Sequence, residues 1–150
     1  MAQSLAKIDI HAVFSTKKRE PLLADDWLEE AFTVLAGATN NLGCQSLIAG
    51  GVADHVHILF QLGRTVSIAD ALKTIKSTSS AWVNQTRGLP AAFHWQAGDA
   101  AFSVSQSNVE EVRKYILRQP ERHAKQSFQD ELRDWLGRYE IEWDERYVWD

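Results

Sequence analysis

The order of patterns along this chain predicts an α+β fold: a ferredoxin-like split βαβ antiparallel sheet with helices on one face and extra C-terminal helices. Three observations carry that expectation. Four short runs alternate or stay apolar over strand length, and two longer segments between them repeat apolar residues at helical spacing. The runs fall in the order β-α-β-β-α-β, with further helical pattern after the last strand. The chain has 150 residues, 45% of them hydrophobic, which suits one domain over 1–150 with its own core.

Each element has a local reason. KIDIHAVFST alternates and then turns apolar, as a first strand does. From Ala24 to Asn41, Leu28, Phe32 and Leu35 recur at helical spacing, and Gly43 supplies a stop. CQSLIAGGV and DHVHILFQL read as two strands, with the hairpin turn expected around Gly50–Gly51. Ser67 is placed to cap a helix carrying Ile68, Leu72, Ile75 and Trp82, which Gly88 ends. AAFSVSQS is the last strand. Ser107 or Asn108 then caps VEEVRKYILRQ, which meets Pro120; QDELRDWLGRYE gives a closing helix before an acidic, aromatic tail.

Composition narrows the function classes. Cys44 is the single cysteine, so an intrachain disulfide and a multi-thiolate zinc site are excluded. No apolar run reaches the ~18 residues of a membrane span, and the N-terminus lacks a secretory apolar segment; no membrane partner and a cytoplasmic setting are expected. The net charge of −4 speaks weakly against nucleic-acid binding, but Lys and Arg gather within 7–19, 64–87 and 113–125, leaving room for local basic patches.

Two imidazoles stand side by side in one strand. His55 and His57 are two residues apart and share a sheet face, opposite Val56, Ile58 and Phe60. They can reach one metal ion, or be two half-exposed, singly hydrogen-bonded histidines. If the helices cover the Val56 side, they face the open side of the sheet. His11 and His94 are further candidates without a recognisable spacing, and His123 lies beyond Pro120. A second signal is Tyr115 and Gln119, four apart on one helical face beside the apolar Val112 and Ile116. Pro120 should end or kink that helix, freeing the Gln119 amide to reach sideways.

DHVHILF, followed about sixty residues later by KYILRQ, resembles the single-tyrosine HUH transposases, the small insertion-sequence enzymes that act on single-stranded DNA. IHAVFSTKKREPLL, LKTIKSTSSAW, FHWQAGDAAFSVSQSNVEEVRKYI and the closing RHAKQSFQDELRDWLGRYEIEWDERYVW extend the resemblance co-linearly over roughly 5–150. It implies that His55, His57 and Gln119 hold a divalent Mg2+ or Mn2+ ion, and that Tyr115 attacks phosphorus to give a 5′-phosphotyrosine and a free 3′-hydroxyl. It also implies a homodimer, in many members with the tyrosine helix of one chain completing the other's site; Pro120 is a candidate hinge for that swap. The implied partner is single-stranded DNA with hairpin ends.

Lys17, Lys18, Arg19, Lys73, Lys76 and Arg87 are the candidate phosphate contacts, and Trp82, Phe93 and Trp95 candidate base-stacking residues, with core packing the competing role for the tryptophans. SFQDELRDWL reads as an ordinary packing helix. One departure stands out: relatives often carry Gly-Tyr-Gly where this chain has Gly98-Asp99-Ala100. The competing functions are a domesticated or inactive relative that binds DNA hairpins, and a dimeric ferredoxin-like regulatory module with incidental histidines.

Overall fold

The computed structural model describes residues 2–150. β1 (Asp9–Ser15) leads through a 3-10 turn at Lys17–Arg19 to α1 (Leu28–Asn41). Then come β2 (Gln45–Val52), β3 (His55–Gln61), α2 (Ile68–Thr86) and β4 (Ala100–Val104). The four strands form one sheet in the order β2-β3-β1-β4, with every neighbouring pair antiparallel. That is the expected split βαβ topology.

Strand alternation divides the sheet into two chemically different faces. Ile10, Ala12, Phe14, Val56, Ile58 and Phe60 join Leu35 of α1 and Leu72 and Ile75 of α2 in the main core. His11, Val13, His55, His57 and Leu59 point the other way and are equally buried. Their face is not open, because α3 (Val109–Leu117), α4 (Gln119–His123) and α5 (Phe128–Arg138) cover it. Phe128, Leu132, Trp135 and Leu136 of α5 close over Val13 and Phe102, while Val112 and Ile116 of α3 close over Leu59 and Val104. The extra helices are thus a second layer.

Local chemistry sets the boundaries. Ser67 and Ser127 cap α2 and α5, each hydroxyl accepting from the amide three residues on (Asp70 N–H, 3.0 Å; Asp130 N–H, 3.1 Å). Gly43 follows α1 with φ +87, where a side chain would be strained. α1 begins at Leu28 rather than Ala24, after a turn at 25–27.

The hairpin turn lies at Ala53–Asp54, not at Gly50–Gly51, which belong to β2. Those glycines serve packing instead. A Cβ on Gly50 would come within 2.7 Å of Ile116 Cγ2 and 3.0 Å of its carbonyl, so the missing side chain lets α3 lie directly on the sheet. At Pro120 the helical path breaks as expected: α3 ends at Leu117, Arg118 leaves helical geometry (φ −94, ψ 13), and the proline opens α4 instead of terminating α3.

Candidate metal centre and nucleophile

The centre lies between the second face of the sheet and α3–α5. β3 fixes His55 and His57, and their outer nitrogens are held by the strand environment. His55 Nδ1 bonds Asp54 Oδ1 at 2.7 Å, and His57 Nδ1 meets Nε2 of His11, on the neighbouring β1, at 2.8 Å. The inner nitrogens turn toward the cap. His55 Nε2 is 3.1 Å from Gln119 Oε1, and His57 Nε2 is 2.9 Å from Glu131 Oε1. All four residues His55, His57, Gln119 and Glu131 are at most 1% exposed.

Glu131 of α5 is the hub. Its Oε1 also lies 3.3 Å from His55 Nε2 and 3.1 Å from His123 Nε2. Its Oε2 accepts from Gln119 Nε2 at 2.9 Å and from the Tyr115 hydroxyl. The Tyr115 oxygen in turn accepts from Trp135 Nε1 at 3.0 Å, and the Arg122 guanidinium stands 4.5 Å from the Tyr115 ring centre. Four of these residues, His55, His57, His123 and Glu131, each bring a ligand atom within 4.8 Å of the others, a cluster able to hold a metal ion. The buried His123 Nε2 makes no hydrogen bond of good geometry, which suits a lone pair awaiting a cation.

The electrostatics follow from crowding ionisable groups in a dry space. Burial alone would lower the His55 pKa, but Asp54 and Glu131 outweigh it and raise it to about 9. Burial dominates at His57 and at His11, both held below the usual histidine value. Burial would raise the Glu131 carboxyl, yet His123, His55 and His57 together hold it far below the carboxylate range. Tyr115 moves well above its ordinary value, by burial first and then by its bond to the Glu131 carboxylate.

Every residue expected at the centre therefore arrives there. Tyr115 reaches the histidines of its own chain, its ring centre 5.8 Å from that of His57. Sequence reasoning missed Glu131, in a helix read as mere packing, named His11 only as a candidate without a recognisable spacing, and gave His123 no role. A glutamate inside the apolar stripe Phe128–Leu132–Trp135 was the available signal.

The basic candidates divide. Lys17 and Lys18 are exposed and line a cleft with His94, Trp95 and Trp149; Lys73 and Lys76 line an adjoining cleft that shares His94 and Trp95. Arg19 is half-buried, near the Trp149 ring at 5.7 Å. Lys76 is already engaged, donating to the Gly98 carbonyl at 2.9 Å and pairing with Asp99 at 3.4 Å, so the Asp99 departure has a partner within the chain. Arg87 lies against the rings of Trp82 and Trp27, 4.7 and 5.4 Å from their centres, and pairs with Glu30. Phe93 is fully buried in the core and offers no face to a base, while Trp95, 8% exposed, shows only an edge to the two clefts.

The family described as "Transposase IS200 like" matches residues 4–119. The chain belongs to the IS200-like transposase family. Its matched span includes His55, His57, Tyr115 and Gln119 and stops before His123 and Glu131. Two solved structures share the transposase fold. A candidate transposase from Deinococcus radiodurans R1 is 20% identical with a TM-score of 0.63, covering 79% of this chain and 98% of that one. A REP-associated tyrosine transposase bound to a REP hairpin is 13% identical with a TM-score of 0.60, covering 82% of this chain and 73% of that one. No curated protein matches the sequence.

Proposed function

We propose that this transposase cleaves and rejoins single-stranded DNA at element ends through a 5′-phosphotyrosine on Tyr115, assisted by a divalent ion. One observation carries the reading: His55 and His57 of β3, Tyr115 of α3 and Gln119 of α4, far apart in sequence, converge on one buried point. A regulatory module with incidental histidines has no need of that convergence.

His55, His57 and Gln119 would hold the ion, Mg2+ or Mn2+. When bound, it supplies positive charge against the phosphate and the developing phenolate. The chain's own residues do the rest. Trp135 N–H and the Glu131 carboxylate hold the Tyr115 oxygen in place. In that grip the phenol keeps its proton, because an adjacent carboxylate opposes phenolate formation. For cleavage the phenol releases its proton to solvent, its oxygen bonds to phosphorus, and the P–O3′ bond breaks. The released 3′-oxygen takes up a proton from solvent. The phosphodiester energy persists in the tyrosyl ester, so rejoining needs no ATP.

Single-stranded DNA with a hairpin end is the partner this reading takes, by likeness to the relative bound to a REP hairpin. The clefts at Lys17, Lys18 and Lys73 supply candidate phosphate contacts, with Arg19, Lys76 and Arg87 reachable only by breaking their present contacts. A third cleft of about 460 Å3, lined among others by Asp54, Pro120 and His123, lies along the seam between sheet and cap, beside the centre. The resemblance implies a homodimer; the completeness of the centre in one chain supports cleavage in cis.

The test incubates the protein and Mn2+ or Mg2+ with single-stranded DNA from the flanks of its own gene. A covalent adduct should form with the wild type and vanish in Tyr115→Phe. An adduct that survives that substitution would assign the nucleophile elsewhere; hairpin binding without any adduct favours the domesticated relative.

A further inference from the structure

We propose that the ion site of this transposase is completed by His123 and Glu131 from the cap, and that the resulting set of three imidazoles and one carboxylate, beside the Gln119 amide, takes a transition-metal dication in preference to Mg2+. The inference rests on the metal-dependent reading above and deepens it, since both added residues lie outside the family-matched span.

The three imidazoles are prepared in the same way. His55 Nδ1 is tied to Asp54, His57 Nδ1 to His11, and His123 Nδ1 to the Gln126 carbonyl at 2.7 Å. The Asp54 carboxylate and the Gln126 carbonyl can only accept, which fixes those two tautomers and turns the other nitrogen toward a metal; His11 does the same for His57 in the tautomer whose Nε2 accepts. All three Nε2 atoms then face one place, where Glu131 Oε1 stands 2.9, 3.1 and 3.3 Å from them. Two ligand atoms bound to one ion at about 2.1 Å sit roughly 3.0–3.4 Å apart for right-angle to tetrahedral arrangements. The nitrogen–oxygen separations already have that spacing.

The donor set decides the class of ion. Mg2+ favours oxygen ligands and keeps several waters, because it dehydrates reluctantly. Here His55 and His57 are fully buried, and three of the donors are imidazole nitrogens. Imidazole suits transition dications such as Zn2+, and affinity for a nitrogen site rises along the first row from Mn2+ through Co2+, whereas Mg2+ suits oxygen ligands. The carboxylate adds the negative charge that neutral imidazoles lack.

The test strips the full-length protein with a chelator and measures binding of Mn2+, Co2+, Zn2+ and Mg2+ by calorimetry or chelator competition, with Co2+ read also by its visible absorption. The transition ions should bind at least about 100-fold more tightly than Mg2+. His123→Gln and Glu131→Gln should each weaken Mn2+ by about 10-fold or more and change the Co2+ spectrum. The two variants lie on different helices, and the wild-type preference needs neither, so a folding defect in one leaves the test intact. Equal or tighter binding of Mg2+ overturns the proposal. So does unchanged Mn2+ affinity and Co2+ spectrum in both variants while His57→Gln abolishes binding; that result leaves the cleavage reading standing on His55, His57 and Gln119. Binding of none of the four ions sinks both readings.

Discussion

Each imidazole of the centre owes its orientation to a neighbour. His57 is aligned by His11, whose own Nδ1 is buried without a partner. Replacing His11 with Gln should weaken Mn2+ binding about 10–100-fold without removing any direct ligand, measured by calorimetry beside the wild type. His55 gives a pH signature in chelator-treated protein. Its folded pKa is raised from 6.5 to about 9, so the stability it contributes is fully present below 6.5 and lost as pH rises through about 9. His57 and His11 are shifted the opposite way, and their contributions fade only as pH falls. Urea unfolding should therefore show stability declining between pH 6.5 and 9, and His55→Gln should flatten that slope. A slope unchanged in the variant would exclude His55 as its source.

At the scale of elements, two contacts position the chemistry. Gly50 of β2 lets α3 sit against the sheet, and α3 carries Tyr115 one residue before the Ile116 that touches it. Gly50→Ala should cost about 1–3 kcal/mol in denaturant unfolding, because the new methyl group meets backbone as well as side chain. Adduct formation should fall more than stability predicts, since the tyrosine moves with its helix. The strands and main helices were legible because period and caps act locally: His55 and His57 share a face by alternation, and Ser67 caps where its spacing says. The turn was misplaced at Gly50–Gly51 because glycine marks close approach as readily as it marks a bend. The apolar stripe around Glu131 marks it as unusual, but its role does not follow from sequence, because its partners lie on three other elements and meet it only through tertiary packing.

For the whole molecule, the arrangement separates two ways of working. With Tyr115 beside the histidines of its own chain, a mixture of Tyr115→Phe and His57→Ala proteins should form no adduct. Recovered adduct would mean that chains exchange their tyrosine helices. The α+β class and topology followed from element order alone; the second layer did not, because α3–α5 carry no pattern that says which face they cover. Among the described residues no helix is long and apolar enough to cross a membrane.

The closed seam has a consequence for the cell that carries such a protein. Unpaired DNA is abundant wherever replication or transcription opens a duplex, and a freely presented nucleophile would nick it indiscriminately. Here the tyrosine is hydrogen-bonded and His55 and His57 are fully buried, so on the proposed reading silence would be the ground state. If the proposed cleavage holds, a strand would have to bring enough binding energy to part the cap from the sheet before it could be cut, which would make recognition of the right DNA end a safety catch.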